Sequence, residues 1–431
     1  MFSMKNIKGL RWLIIILIGI ATIINYIDRS SLAIMWPGIS RDLHLNKDQY
    51  AAIVAAFMIA YGAGQAVTGR IFDRVGIRIG FVLSICVWSA ACMLHGAARG
   101  ILSFSGFRGL LGLSEAGNFP GGTKASGEWF PIKERALAQG IFNTGSSLGA
   151  VISAPLVAAL YVLVGWKAAF IVIGCLGMFW IIPWWIFYRS GPATHPWMNE
   201  EERLYITAGQ KTEKVHNPSD EYIHAWGELL TYKQSWSVIA SRFFLDPIWW
   251  LFVNWLPIYL VERFGFDIRQ IGLFAWVPYL GGAVGSIAGG WWSGHMIQKG
   301  WSVDKARKWS VVLGGTIMIP AFLLTAFANS PLLAVVLMAA VLGGFQVAMN
   351  NIQTLPSDYF SGRSVGSLAG LGGMSAVLGV LVFSTWLIPV LSAKSYTPVF
   401  IMGALLVPLG VLSIFIFGRE IKNVEIKRKL K

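Results

Sequence analysis

The sequence predicts an all-α polytopic membrane protein, with twelve transmembrane helices in two six-helix halves and both termini cytoplasmic. Three observations predict it. Of 431 residues, 55% are hydrophobic and only 13% charged, with a mean hydropathy of +0.60, whereas soluble domains carry about a quarter charged residues. Apolar runs recur along the chain, each close to the roughly 20 residues that a bilayer demands of a helix. Lys and Arg are divided unevenly between alternate loops, as the orientation of membrane helices requires.

The apolar runs fall at 12–35, 50–71, 79–98, 101–123, 136–160, 167–188, 241–261, 270–293, 309–328, 331–355, 364–391 and 396–418. The first is too long and too poor in small cleavage-site residues for a signal peptide, so it is read as the first span. With the N-terminus inside, the inner side holds 26 of the 35 Lys and Arg and the outer side seven, while Arg29 and Arg108 lie within spans. The net charge of +14 is therefore topogenic and does not imply nucleic acid. Residues 191–234, from Gly191-Pro192 through Glu200-Glu201-Glu202 and His216 to Asp220, form the one long polar stretch. They divide the chain into a half at 1–190, a cytoplasmic linker at 191–234 and a half with its tail at 235–431.

Faint echoes relate the halves: GRIFDRVGIRIG at 69–80 against GWWSGHMIQKG at 290–300, and Trp129-Phe130 with Leu148-Gly149 against Tyr359-Phe360 with Leu378-Gly379. Six-plus-six repeats mark secondary transporters with a site at the midplane. Other classes lack support. Cys86, Cys92 and Cys175 lie in apolar runs without disulfide or metal-ligand spacing, and the six histidines form no HExxH. The glycine-rich runs are followed by no Lys-Ser/Thr, so they read as close helix packing and not as phosphate loops. No cofactor, metal or nucleic acid is expected, no enzyme activity either, and the chain is expected to be a monomer.

Charges inside spans carry the most information, because each costs about 2.5–3.5 kcal/mol at a helix centre. Asp28 and Arg29 follow Asn25-Tyr26-Ile27 in span 1, and Arg108 and Glu115 lie seven apart in span 4. Two turns separate them, about 10 Å along one face. A guanidinium offers a fixed fork to a carboxylate and stays charged, whereas Asp and Glu bind and release protons. The functional reading has the arginines holding an anionic substrate and the carboxylates carrying protons. The bland alternative is internal ion pairs that lock helices, with Asp28 pairing Arg29 or capping a break. Tyr26, Tyr61, Gln65, Asn143, Ser147, Trp249, Trp250, Asn254, Tyr279, Gln346, Asn350 and Asn351 are candidate neutral or aromatic walls of a pocket. Interhelical hydrogen bonding explains any one of them equally well.

At Gly69-Arg70-Ile71-Phe72-Asp73-Arg74-Val75-Gly76-Ile77-Arg78 the sequence resembles the loop 2–3 signature of the major facilitator superfamily. The resemblance implies that Gly69, Asp73, Arg74, Gly76 and Arg78 form a gating motif, a cytoplasmic charge relay that steadies the outward-facing state. A merely topogenic loop is the alternative. In the second half Gly294-His295 stands where the Asp-Arg pair would be, so the symmetric latch is expected to be weakened. Phe107-Arg108 through Glu115 to Pro120, Glu128 to Pro131, Phe142 to Ser147, and Asp246-Pro247-Ile248-Trp249-Trp250 through Pro257 resemble the anion:cation symporters of that superfamily, bacterial hexuronate transporters most of all. That resemblance, from Lys8 to about Arg419, implies a bacterial inner-membrane protein that takes up a sugar acid such as glucuronate or galacturonate with protons. It implies Asp28 and Glu115 as proton sites, Arg29 and Arg108 at the substrate carboxylate, and neutral contacts at Tyr26, Tyr61, Asn143, Asn254 and Asn350. The rivals are a symporter for an aldonate, an aldarate or another organic anion, and a facilitator without proton coupling. A membrane sensor or enzyme would need an extramembrane domain, for which the 44-residue linker is too small.

Overall fold

The computed structural model describes residues 7–211, 222–360 and 362–424. The predicted linker residues His216 to Asp220, and the basic residues Lys5, Lys214 and those beyond Val424, lie outside this set. Among the described residues the fold is all-helical, with one isolated β-bridge between Ile7 and Met198. The helices are α1 Leu10–Leu43, α2 Lys47–Leu94, α3 Ile101–Glu115, α4 Asn118–Trp129, α5 Ile132–Phe187, α6 Glu200–Lys211, α7 Trp226–Leu229, α8 Lys233–Phe264, α9 Ile268–Phe274, α10 Val277–Gln298, α11 Val303–Ala326, α12 Pro331–Tyr359, α13 Val365–Val380, α14 Ile388–Ser392 and α15 Thr397–Gly418. Helix is the natural choice for such sequence, because a segment in lipid must satisfy every backbone polar group within itself.

Eight of the described helices are long and apolar enough to cross a membrane. Two of them contain a reversal. In α2, Gly76 has φ 79° and ψ 170°, a left-handed backbone that favours glycine. The chain folds back there, bringing Phe72 within 5.2 Å of Phe81, ring to ring. Gly165, at φ 74° and ψ 166°, breaks α5 in the same manner. The second, third, fifth and sixth predicted runs are the four arms of these two elements. The fourth run is divided between α3 and α4 at Ala116-Gly117, and the eighth between α9 and α10 at Ala275-Trp276. The eleventh passes from α13 through a π-helical stretch at Leu381–Leu387 into α14.

Buried apolar side chains form two clusters. One runs from Leu10 to Ile206 and is joined by Val377 and Val380; the other runs from Leu229 to Ile421 and is joined by Tyr26 and Ala66. The outer surface stays apolar, with Leu102 87% and Trp386 70% exposed, as expected for groups that meet lipid. Part of the predicted linker is folded. Glu202 of α6 accepts the backbone N–H groups of Gly9 and Leu10 at 2.8 and 3.2 Å, placing a carboxylate at the start of α1. Arg11 bridges Glu134 and Glu202 at 3.0 and 2.7 Å.

The two groups of helices make their backbone-to-backbone contacts and hydrogen bonds toward one end of the molecule. A Cβ on Gly69 would strike the backbone of Gly366, on Gly140 that of Ser286, and on Gly290 that of Ala136, so these glycines permit a contact that no other residue allows. Among the described residues, the hydrogen bonds between 10–187 and 233–418 lie between this end and the level of Asn143 and Asn350. Both described termini are at the same end, Ile7 bonding to Trp197 and Val424 to Tyr359. Beyond Asn143 the helices part, leaving a cleft that opens toward the other end.

Candidate functional site

The cleft, with a cavity volume of about 50 Å³, lies between α1, α2 and α5 on one wall and α8, α12 and α13 on the other. Of the predicted residues, Tyr26, Arg29, Tyr61, Gln65, Asn143, Trp249, Trp250 and Gln346 line it. Arg29 is the central group. Its Nε and Nη2 both donate to Oε2 of Glu115 at 3.3 Å, and Nη2 also reaches Oδ1 of Asn25 at 3.1 Å. Four rings surround the guanidinium, with centroids 5.0 Å away for Tyr26, 5.4 Å for Phe57, 4.7 Å for Tyr61 and 5.4 Å for Trp250. Aromatic faces stabilise a cation without competing for an incoming anion's oxygens. Glu115 is fully buried behind Arg29, and its Oε1 has no hydrogen-bond partner.

Arg108 and Glu115 share a helix face, as their spacing predicts, and both address α1. Arg108 does so through the backbone, donating to the carbonyl oxygens of Asp28 and Arg29 at 3.5 and 3.3 Å. It does not line the cleft. Asp28 turns the other way, fully buried, with Oδ1 accepting from Cys92 at 3.6 Å and Oδ2 unpartnered. The alternative in which Asp28 pairs with Arg29 is corrected, since the ion pair of Arg29 is with Glu115. Asn143 donates to Asn350 at 2.7 Å and to Gln353 at 2.6 Å, while Asn350 donates to the backbone oxygen of Ser286 at 2.6 Å. Asn350 thus serves the junction between helices and is absent from the cleft lining. Asn254 is exposed on the C-terminal half of α8 and does not line the cleft either.

Two charged lining residues escaped the sequence reading. Arg242 falls among the 26 inner-side cations of the sequence reading, and Asp246 enters it only within the motif from Asp246 to Pro257. They form an ion pair on α8, Nε to Oδ2 at 3.1 Å and Nη2 to Oδ1 at 3.2 Å, and both face the cleft. An oppositely charged i,i+4 pair inside an apolar run is the signal that would have found them. Lys124, Arg135 and Arg307, also counted as loop charge, are buried.

They belong to the closed end. Asp73 accepts backbone N–H groups from Gly366 and Ser367 at 3.0 and 2.6 Å and the ammonium of Lys124 at 3.1 Å, joining α2 to the start of α13. Arg78 donates to the carbonyls of Trp185 and Arg189, and Arg74 is exposed. At this end the second half makes its own acidic contact. Asp358, at the end of α12, takes Arg135 at 3.3 Å and Arg307 at 2.9 Å, and Arg307 also donates to the carbonyl of Ile132. The second acid comes from α12 and not from the loop that echoes 69–80.

An all-helical membrane protein with a charged central cleft between two groups of helices is built as a transporter. The model of the Major Facilitator Superfamily matches residues 18–299, and the chain belongs to that superfamily, whose members move solutes and are not enzymes. It is 34% identical to the hexuronate transporter of Escherichia coli strain K12 over 99% of this chain and 98% of that protein. To the galacturonate transporter of Dickeya chrysanthemi it is 35% identical, over 73% of this chain and 91% of that protein. To a probable galactarate/D-glucarate transporter of Escherichia coli strain K12 it is 31% identical over 97% of each. Among solved structures, the human organic anion transporter MFSD10 shares the fold with a TM-score of 0.67, at 14% identity, over 94% of this chain and 99% of that one.

Proposed function

We propose that the protein is a secondary active transporter that brings a sugar acid, a hexuronate such as glucuronate or galacturonate, into the cell by proton-coupled symport. Arg29 carries this reading: a permanent cation in the cleft, walled by aromatic rings and satisfied by one oxygen of Glu115. A charge kept in a membrane span needs a partner. Glu115 is that partner in the empty site, and the substrate carboxylate is the partner once Glu115 has taken a proton. Exchange of one anion for the other couples the two solutes, because Arg29 stays neutralised throughout and only a neutralised site is closed off cheaply. Asp28, buried without an ion pair, is the second proton site. Arg108 acts on substrate through α1, by holding the carbonyls of residues 28 and 29. Tyr26, Tyr61 and Asn143 supply neutral contacts.

Twelve crossings are proposed: α1, two arms of α2, α3 with α4, two arms of α5, α8, α9 with α10, α11, α12, α13 with α14, and α15. The halves 1–190 and 235–431 rock about the cleft. The preponderance of Lys and Arg, 26 against seven, supports a cytoplasmic position for the closed end and for both termini. The cleft then opens outward, with the Asp73 and Asp358 contacts as the inner latches. The names of the sugar-acid relatives support an organic anion as substrate.

The test uses purified protein in liposomes with an imposed inward proton gradient and labelled glucuronate. Accumulation is expected, and a protonophore abolishes it. Glu115→Gln is expected to lose gradient-driven accumulation while retaining glucuronate exchange. Full proton-driven accumulation by that variant overturns the coupling role, and failure of the wild type to move any hexuronate overturns the substrate.

A further inference from the structure

We infer that the Arg242–Asp246 pair makes the cleft selective for sugar acids with a single carboxylate: Asp246 accepts hydroxyls at the end of the substrate remote from Arg29 and rejects a second carboxylate there. The inference rests on the sugar-acid reading above and deepens it. Trp250, whose ring covers Arg29, stands one helical turn from Asp246 on α8, about 6 Å along the axis. That offset is comparable to the length of a six-carbon acid. A substrate whose carboxylate engages Arg29 therefore presents its far hydroxyls to Asp246.

What awaits them is a wall of no net charge. Nε and Nη2 of Arg242 are committed to separate oxygens of Asp246, and Nη1 points to the carbonyl of Ala369 at 3.5 Å. The fork is closed, so no bidentate seat for a second carboxylate remains. Each Asp246 oxygen has spent one lone pair on Arg242 and keeps acceptor capacity. The two side chains are 9% and 13% exposed, in a cleft whose other charged lining group is Arg29. A hydroxyl finds an acceptor there, whereas a carboxylate brings no proton and meets like charge. The competing account is an i,i+4 pair that merely stiffens α8 ahead of Pro247, and it predicts no effect on which acids bind.

The experiment measures inhibition of labelled glucuronate uptake by unlabelled glucuronate and by galactarate, a diacid, in liposomes. In the wild type galactarate is expected to compete at least about tenfold more weakly. Asp246→Asn opens the Arg242 fork and is expected to reduce that ratio about tenfold or more, the scale of one charge-assisted hydrogen bond. Asp246→Glu keeps the charge and is expected to keep the ratio. A wild type without discrimination, or an Asp246→Asn protein that transports glucuronate with the wild-type ratio, overturns the inference. Where Asp246→Asn does not yield folded protein, the uncharged pair Arg242→Gln with Asp246→Asn is measured; loss of discrimination supports the inference and a wild-type ratio overturns it. Transport of glucuronate by a wild type whose Asp246→Asn protein keeps the ratio defeats this inference alone. Failure to transport any sugar acid defeats the functional reading itself.

Discussion

On α1, Arg29 sends Nε and Nη2 to a single oxygen of Glu115, both at 3.3 Å, while on α8 Arg242 meets two separate oxygens of Asp246 at 3.1 and 3.2 Å. Both arginines line the same cleft. The first pair joins two helices and is geometrically loose, and one oxygen of its acid is left without a partner. The second lies within one helix and is matched fork to fork. Bidentate pairing is the stronger arrangement, so an incoming carboxylate displaces Glu115 more readily than Asp246. On the proposed mechanism, one wall exchanges its anion and the other keeps it. Charge count alone would not separate them, since each wall holds one Arg paired with one acid.

The sharpest break in this comparison is Arg29→Ala. Removing a buried charge partner costs about 2–5 kcal/mol, so glucuronate affinity is expected to fall roughly 100-fold or more. Arg29→Lys keeps the charge but not the fork and is expected to lose less. Equilibrium binding by scintillation proximity or calorimetry reads both, and near-normal affinity in Arg29→Ala would remove the exchanging wall from the mechanism.

Next in size are the latches. Asp73 gathers two backbone N–H groups and Lys124, and Asp358 gathers Arg135 and Arg307. Hydrogen bonds to a charged group are worth about 1.5–3 kcal/mol each, enough to shift a conformational equilibrium by tenfold or more. Asp73→Asn and Asp358→Asn are each expected to depopulate the form in which the cleft opens away from this end. A cysteine at the exposed position Asn254 reports it: alkylation of Asn254→Cys by an impermeant maleimide should slow about tenfold in either background. A rate unchanged by Asp358→Asn would mean that the second latch contributes nothing to the equilibrium.

Much of this was legible in the sequence, and the omissions have physical causes. The apolar runs coincide with the long helical segments among the described residues, because a membrane helix has no way to satisfy its backbone except along its own length. Arg108 and Glu115 were correctly set on one face, since two turns of helix fix that relation within a single element. The partner across the interface was not fixed by spacing: Glu115 chose Arg29, and Asp28 turned toward Cys92. Arg242 was taken for a loop cation because it stands one residue inside the predicted run, where hydropathy does not distinguish a snorkelling charge from a lining one. Asp358 was missed because the latch was sought in the loop echoing 69–80, while the closed end recruits the acid from the terminus of α12.

A smaller effect is expected at Asn143, which lines the cleft but is already bonded to Asn350 and Gln353. Asn143→Ala removes a neutral contact worth about 0.5–1.5 kcal/mol, so affinity should fall severalfold and not a hundredfold. A loss as large as that of Arg29→Ala would mean that neutral contacts, and not the exchanging pair, dominate recognition.

The smallest effect is expected at Asn254, and it tests how far the C-terminal wall extends. Asn254 is on the same helix as Arg242, Asp246, Trp249 and Trp250, two turns beyond Asp246, yet its side chain is exposed and outside the lining. If the kept anion and the tryptophans above it complete that wall, Asn254→Ala should change glucuronate affinity and transport less than about twofold, as exposed substitutions commonly do. A severalfold loss of affinity, measured in the same binding assay, would place a contact in the open half of α8. The wall would then reach past the tryptophans, and selection would begin before substrate meets Arg29.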